Sequence, residues 1–261
     1  MPLVAIFVIL VLFEVARRRQ LPVATRLAQR WERWRPRVVG YVTSSPATFT
    51  YLMILSVTTV VLLSSSARVV TLLLEEHSTN LHQLFNSPVR ALALSAFWAP
   101  NYEFLVWSFL FALILAPAER WLGTRRWAVV FIAGHVLATL GVAWGLWFAI
   151  GHHYASAHLE TAIDVGVSYG FAAVAAVFTF RLPRPWRWWW AGTLTAAAVT
   201  ALLIGRTFTD SGHLLAVIIG FACYPLTRDV AVAERARAPI WSASRGAVPP
   251  KSSGDQRHHP H

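Results

Sequence analysis

The sequence predicts an all-α, polytopic membrane protein built as a bundle of six transmembrane helices. Three observations predict it. The 261-residue chain is 56% hydrophobic and 13% charged, with a mean hydropathy of +0.50; soluble domains carry about 25% charged residues. Six apolar stretches approach the ~20 residues that cross a hydrocarbon core: 47–66, 101–118, 127–149, 164–180, 188–205 and 211–226. Finally, 20 of the 23 Lys and Arg residues fall on one side of these stretches, leaving only Arg68, Arg90 and Arg206 on the other.

Residues 1–46 combine a short apolar segment, 3–13, with an arginine-rich region holding Arg17, Arg18, Arg19, Arg26, Arg30, Arg33, Arg35 and Arg37. The apolar segment is short for a span, and its arginines follow rather than precede it, unlike a signal peptide. It reads as an anchor or as a mis-assigned start. The membrane domain occupies 47–226. After the first span, residues 67–100 form an outer loop whose leucines (Leu72, Leu73, Leu81, Leu84, Leu92, Leu94) suit short helices along the interface. Spans two and three are joined by Arg120, Arg125 and Arg126, spans four and five by Arg181, Arg184 and Arg187. Residues 227–261 are expected to be a disordered basic tail.

Positive residues stay on the cytoplasmic side, so both termini are expected there. This orientation accounts for the net charge of +11 without a nucleic-acid partner. Tryptophans at span edges, such as Trp98, Trp127 and Trp186, suit an interfacial belt. Arginine and alanine richness fits a GC-rich bacterial genome, hence an inner-membrane location. A single cysteine, Cys223, excludes a disulfide framework and a thiolate metal cluster. No internal repeat supports an inverted-repeat transporter, and nothing marks the oligomeric state.

Polar residues inside spans are costly and are functional candidates. Here they are Glu103, His135, Asp164, Ser168 and His213. Ser168 lies in Gly166-Val167-Ser168-Tyr169-Gly170 at the outer start of span four, and His213 in Ser211-Gly212-His213 at the outer start of span six. Both sit a few residues past an outer loop, so at ~1.5 Å per residue they share a shallow depth. A serine hydroxyl becomes a nucleophile when a neighbouring base takes its proton. The bland alternative stands beside this: Gly166-x-x-x-Gly170 is an ordinary packing motif, and His213 suits a satisfied buried histidine. His135 suits a helix–helix hydrogen bond or a proton relay. His152, His153 and His158 with Glu160 match no zinc spacing and read as an exposed loop. Asp164 and Asp210 read as helix N-terminal residues. No metal or cofactor is expected.

The ordered series resembles the rhomboid family of intramembrane serine proteases. Pro88-Val89-Arg90 precedes the second span, Glu119-Arg120-Trp121-Leu122-Gly123 closes it, Gly-x-Ser opens span four, and Gly212-His213 with Gly220 lies in span six. The likeness covers about residues 47–226. It implies a rhomboid-like six-helix fold, with Ser168 as nucleophile, His213 as general base, and Gly220 letting helix six approach helix four. It implies structural roles for Arg90, Glu119, Gly166 and Gly170. The expected partners are transmembrane segments of other membrane proteins, cleaved near the outer leaflet. The chain also departs from the family. Tyr169 follows the serine where the family has glycine, and Ala216 replaces the first glycine after the histidine. The family's His-x-x-x-Asn pair in helix two falls here on Glu103 and Trp107. An ionised Glu103 would repel an oxyanion and Trp107 offers one donor; losing an oxyanion donor costs ~2.7–4 kcal/mol. Asn101 or Tyr169 are the candidate substitutes. A catalytically inactive rhomboid-like protein that binds membrane-protein clients is therefore the alternative.

Overall fold

The computed structural model describes residues 22–99, 103–165 and 167–230. The segment 1–21, with its apolar stretch, the tail 231–261, and the candidates Asn101 and Gly166 lie outside the described residues. The helices are α1 (Pro22–Thr43), α2 (Pro46–Ser64), α3 (Ala67–Glu76), α4 (Leu81–Asn86), α5 (Pro88–Ser95), α6 (Phe104–Leu122), α7 (Thr124–Gly151), α8 (Val167–Phe178), α9 (Trp186–Gly205) and α10 (Phe208–Ala222). Residues Phe111–Leu115 of α6 form a π-helical turn. No strand occurs among the described residues.

Helices α2, α6, α7 and α9 are long and apolar enough to cross a membrane. Helix α10 and the following segment Tyr224–Val230, bent by 47° at the break between them, count as a fifth when the bent pair is taken as one span. Helix α8 is apolar but shorter, extended by a 3-10 turn to Arg181. Its fifteen residues, Val167–Arg181, reach only about 22 Å at ~1.5 Å per residue, against a hydrocarbon core of ~30 Å. It tolerates this because it is the central helix: Ala173, Val174, Ala175, Ala176 and Val177 are all buried, packed by α7 and α10 and flanked by α6 and α9. Small residues bring these backbones together. A Cβ at Gly220 would collide with the Ala173 carbonyl, and one at Gly134 with the Ala173 side chain.

The apolar surface is turned outward as well as inward. Met53, Val57, Leu105, Phe109, Trp144, Trp188, Leu203 and Ile204 are all exposed, and α9 buries almost nothing but Ala198. Such a surface is untenable in water and ordinary in lipid. The chain is a multi-pass membrane protein.

Local chemistry sets the breaks. Pro46 opens α2, Gly123 at φ 79° separates α6 from α7, and Thr207 with Asp210 forms a reciprocal capping box on α10. Glu119, 1% exposed, accepts the N–H groups of Ala47 (2.9 Å) and Thr48 (2.8 Å) and the Thr124 hydroxyl (2.8 Å). One carboxylate therefore caps the N-terminus of α2 and fixes the α6–α7 turn. The outer loop folds as three short helices, α3 to α5, with Asn80 capping α4 through the Gln83 N–H.

Candidate functional site

The N-terminal ends of α8 and α10 are joined through Tyr169. Its ring lies where any side chain at Gly212 would clash, which lets α10 close upon it. The His213 ring meets it edge-on, 5.2 Å between centroids and 73° between planes. The Tyr169 hydroxyl points back to Asp164, donating to its carboxylate at 3.3 Å, and lies 3.5 Å from the Thr209 carbonyl of α10.

Asp164 is the centre of this network. It sits in the connection between α7 and α8, and α8 begins three residues later, at Val167. It is therefore not the cap that its position before the span suggests. Its carboxylate accepts from Tyr169 and from the Thr79 hydroxyl (3.4 Å). Its carbonyl accepts the Thr79 N–H (2.8 Å) and its own N–H donates to Ser78 Oγ (2.7 Å). The outer loop after α3 is thus pinned to the start of α8 by two buried residues, Ser78 and Thr79. Burial pushes the Asp164 carboxyl up to about 6, although hydrogen bonds from Tyr169 and Thr79 oppose the shift.

Ser168, half-buried, occupies the same first turn of α8. No hydrogen bond joins it to His213 among the described residues; the group facing His213 is the neighbouring Tyr169. One turn inward, Phe171 packs against Trp107 (5.5 Å between ring centroids) and Phe111 (6.0 Å). Trp107 Nε1 donates to the Glu103 carboxylate at 2.9 Å, an i to i+4 pair at the outer start of α6. The one N–H that Trp107 has is engaged by Glu103. Neither residue offers a free donor toward α8.

The remaining candidates lie elsewhere. Arg90 pairs with Glu76 at 2.6 Å, an exposed link between α5 and α3. His135 Nε2 donates to the Leu92 carbonyl at 2.9 Å, tying α7 to α5. Gly170 faces the Phe131 ring, where a Cβ would stand 2.7 Å away. His152 and His158 bond Phe148 and Ser156 locally, and no metal-holding group of His, Cys, Asp or Glu occurs among the described residues.

The family described as rhomboid-like protein matches residues 40–233, most of the chain. The chain belongs to that family. Searches of curated proteins and of solved structures return no match. In this rhomboid-like protein the matched region runs from the end of α1 past α10, so it includes every helix of the site just described. Sequence reasoning alone missed Ser78, Thr79 and Thr209. The signal for the first two was the Ser-Thr-Asn run ahead of Leu81, a helix-start composition. Nothing local marked their partner, more than eighty residues away.

Proposed function

We propose that this rhomboid-like protein holds transmembrane segments of other membrane proteins without cleaving them. The observation that carries the reading is that His213 packs against Tyr169 instead of bonding Ser168. A serine without a base in hydrogen-bonding reach stays a weak nucleophile. The Glu103–Trp107 bond supports the same reading, because it leaves a carboxylate where acyl transfer calls for a neutral donor. A place for a client exists: an apolar groove of about 740 Å³ between α2, α5 and α7, lined by Ile54, Phe97, Phe131 and Ile132 among others. Val89, Leu92 and Ala93 of α5 line it, and His135 is among its polar groups.

A second reading is cleavage near the outer leaflet, with Ser168 as nucleophile and His213 as base. It is favoured by one observation: Ser168 adjoins the tyrosine whose ring touches His213, on two helices in close contact. A serine-reactive fluorophosphonate applied to membranes holding wild type or Ser168→Ala separates the two. The holding reading expects no labelling that depends on Ser168. Labelling of wild type that vanishes in Ser168→Ala overturns it in favour of cleavage. In parallel, a photo-crosslinker at Ile132 is expected to capture an intact membrane protein; capture of lipid alone removes the client part of the proposal.

A further inference from the structure

Helix α1 carries two adjoining stripes. Arg26, Arg30, Arg33 and Arg37 recur at spacings of four, three and four residues, so they share one face at 3.6 residues per turn. Leu27, Trp31, Trp34 and Val38 follow the same spacing one residue later, about 100° around the helix, and Val42 continues that stripe. Leu27, Trp31, Trp34 and Val38 are each between 41% and 54% exposed. None of them belongs to a hydrophobic core cluster of the described residues. The arginines are exposed as well. Among the described residues the one ion pair on α1 is Arg35 with Glu32, outside the stripe. Arg37 lies over the Trp34 ring at 4.8 Å, which joins the two stripes.

The attachment of α1 fixes where these stripes can go. Only Ser44 and Ser45 separate it from α2, a membrane span. The turn is held by Ser45 Oγ donating to the Ala116 carbonyl (3.0 Å) and by the Tyr41 hydroxyl donating to the Ala112 carbonyl. Arg120 stacks over the Tyr41 ring. The helix therefore leaves the bundle at the boundary where α2 begins and cannot move far from it.

We infer that α1 is a docking element for the anionic lipid surface of the leaflet from which α2 starts. The tryptophan stripe enters the headgroup–acyl boundary and the four arginines beside it bind lipid phosphates. Arginine suits that ligand because its fork bonds phosphate oxygens bidentately, and its long stem lets the charge reach the headgroups from a helix lying in the boundary. A basic face bordered by tryptophan and leucine is what an interfacial helix presents to negative lipid. A nucleic acid would neutralise the arginines and leave the apolar stripe in water.

The test uses the full chain with Cys223→Ser, carrying a nitroxide at Val38→Cys on the apolar stripe or at Gln29→Cys on the opposite face. The protein is reconstituted in vesicles of phosphatidylcholine alone or of equal parts phosphatidylcholine and phosphatidylglycerol. Depth is read from the accessibility of each label to oxygen and to a water-soluble nickel chelate. In mixed vesicles the label at 38 is expected to be buried in lipid and the label at 29 to face water. The contrast is expected to shrink in phosphatidylcholine alone, at high salt, and when the four stripe arginines become glutamine. Two labels in water in mixed vesicles overturn the inference. So does a contrast indifferent to lipid charge and salt, or one that tracks protein-to-lipid ratio, which assigns the face to a second copy. The lipid and salt comparisons need no arginine variant.

Discussion

Glu119 is buried and accepts three hydrogen bonds, so its side chain governs two junctions at once. The α2 N-terminus presents N–H groups and a positive dipole end, and a carboxylate answers both. Removing an acceptor from a buried donor costs about 1–3 kcal/mol for each group left unpaired. Glu119→Ala is expected to lower the thermal midpoint of the detergent-solubilised protein strongly. Glu119→Gln, which keeps an acceptor oxygen and loses the charge, is expected to fall between it and wild type. Equal midpoints for Gln and Ala would mean that shape, not capping, is what Glu119 supplies. By contrast, Arg90 and Glu76 are both more than half exposed, and such a pair contributes about 0–1 kcal/mol. Arg90→Ala is expected to be close to neutral.

Among the elements, α8 matters most, and its outer end is a titratable joint. The folded state holds the Asp164 carboxyl near 6, above the ordinary carboxylate value of about 4. Between those values the native protein keeps a proton that the unfolded chain has released, so this group makes stability fall as pH rises from about 4 to about 6. Asp164→Asn keeps an oxygen for Tyr169 and Thr79 to bond and does not titrate. The wild-type thermal midpoint is therefore expected to decline relative to Asp164→Asn across that window, and parallel profiles would disprove the role. The span positions were legible in the sequence because hydropathy is averaged over about twenty residues, and each of the six stretches coincides with a helix to within a few residues. The joint was not. Tyr169, Asp164 and Thr79 meet only when the outer loop folds over α8, and their separation in sequence carries no period. Tyr169 was visible as a departure after Ser168, yet its partner His213 became apparent only once Gly212 admitted the ring.

At the scale of the whole molecule, the arrangement of charge has to agree with the packing. The α1–α2 turn is preceded by the arginines of α1, the α6–α7 turn and the start of α9 carry arginines of their own, and Arg126 pairs with Asp229 beyond α10 at 3.4 Å. These junctions therefore share one end of the bundle, while α3 to α5 and the connection around Ala157–Thr161 share the other. Basic loops are retained on the cytoplasmic side during insertion, so the arginine-bearing end is expected to face the cytoplasm. A single cysteine in a Cys223→Ser background reads this directly. Ser156→Cys, in the connection before α8, is expected to react with a membrane-impermeant maleimide in intact cells. Ser44→Cys, exposed in the α1–α2 turn, is expected to react only after permeabilisation. The opposite pattern would reverse the orientation and place Tyr169, His213 and Asp164 on the cytoplasmic side. Replacing Arg120, Arg125 and Arg126 together by glutamine is expected to give a mixed pattern, because that turn is short and arginine is its only basic residue type. An unmixed pattern in that variant would mean that the remaining arginines, those of α1 and of the connection holding Arg181, Arg184 and Arg187, suffice to set the topology.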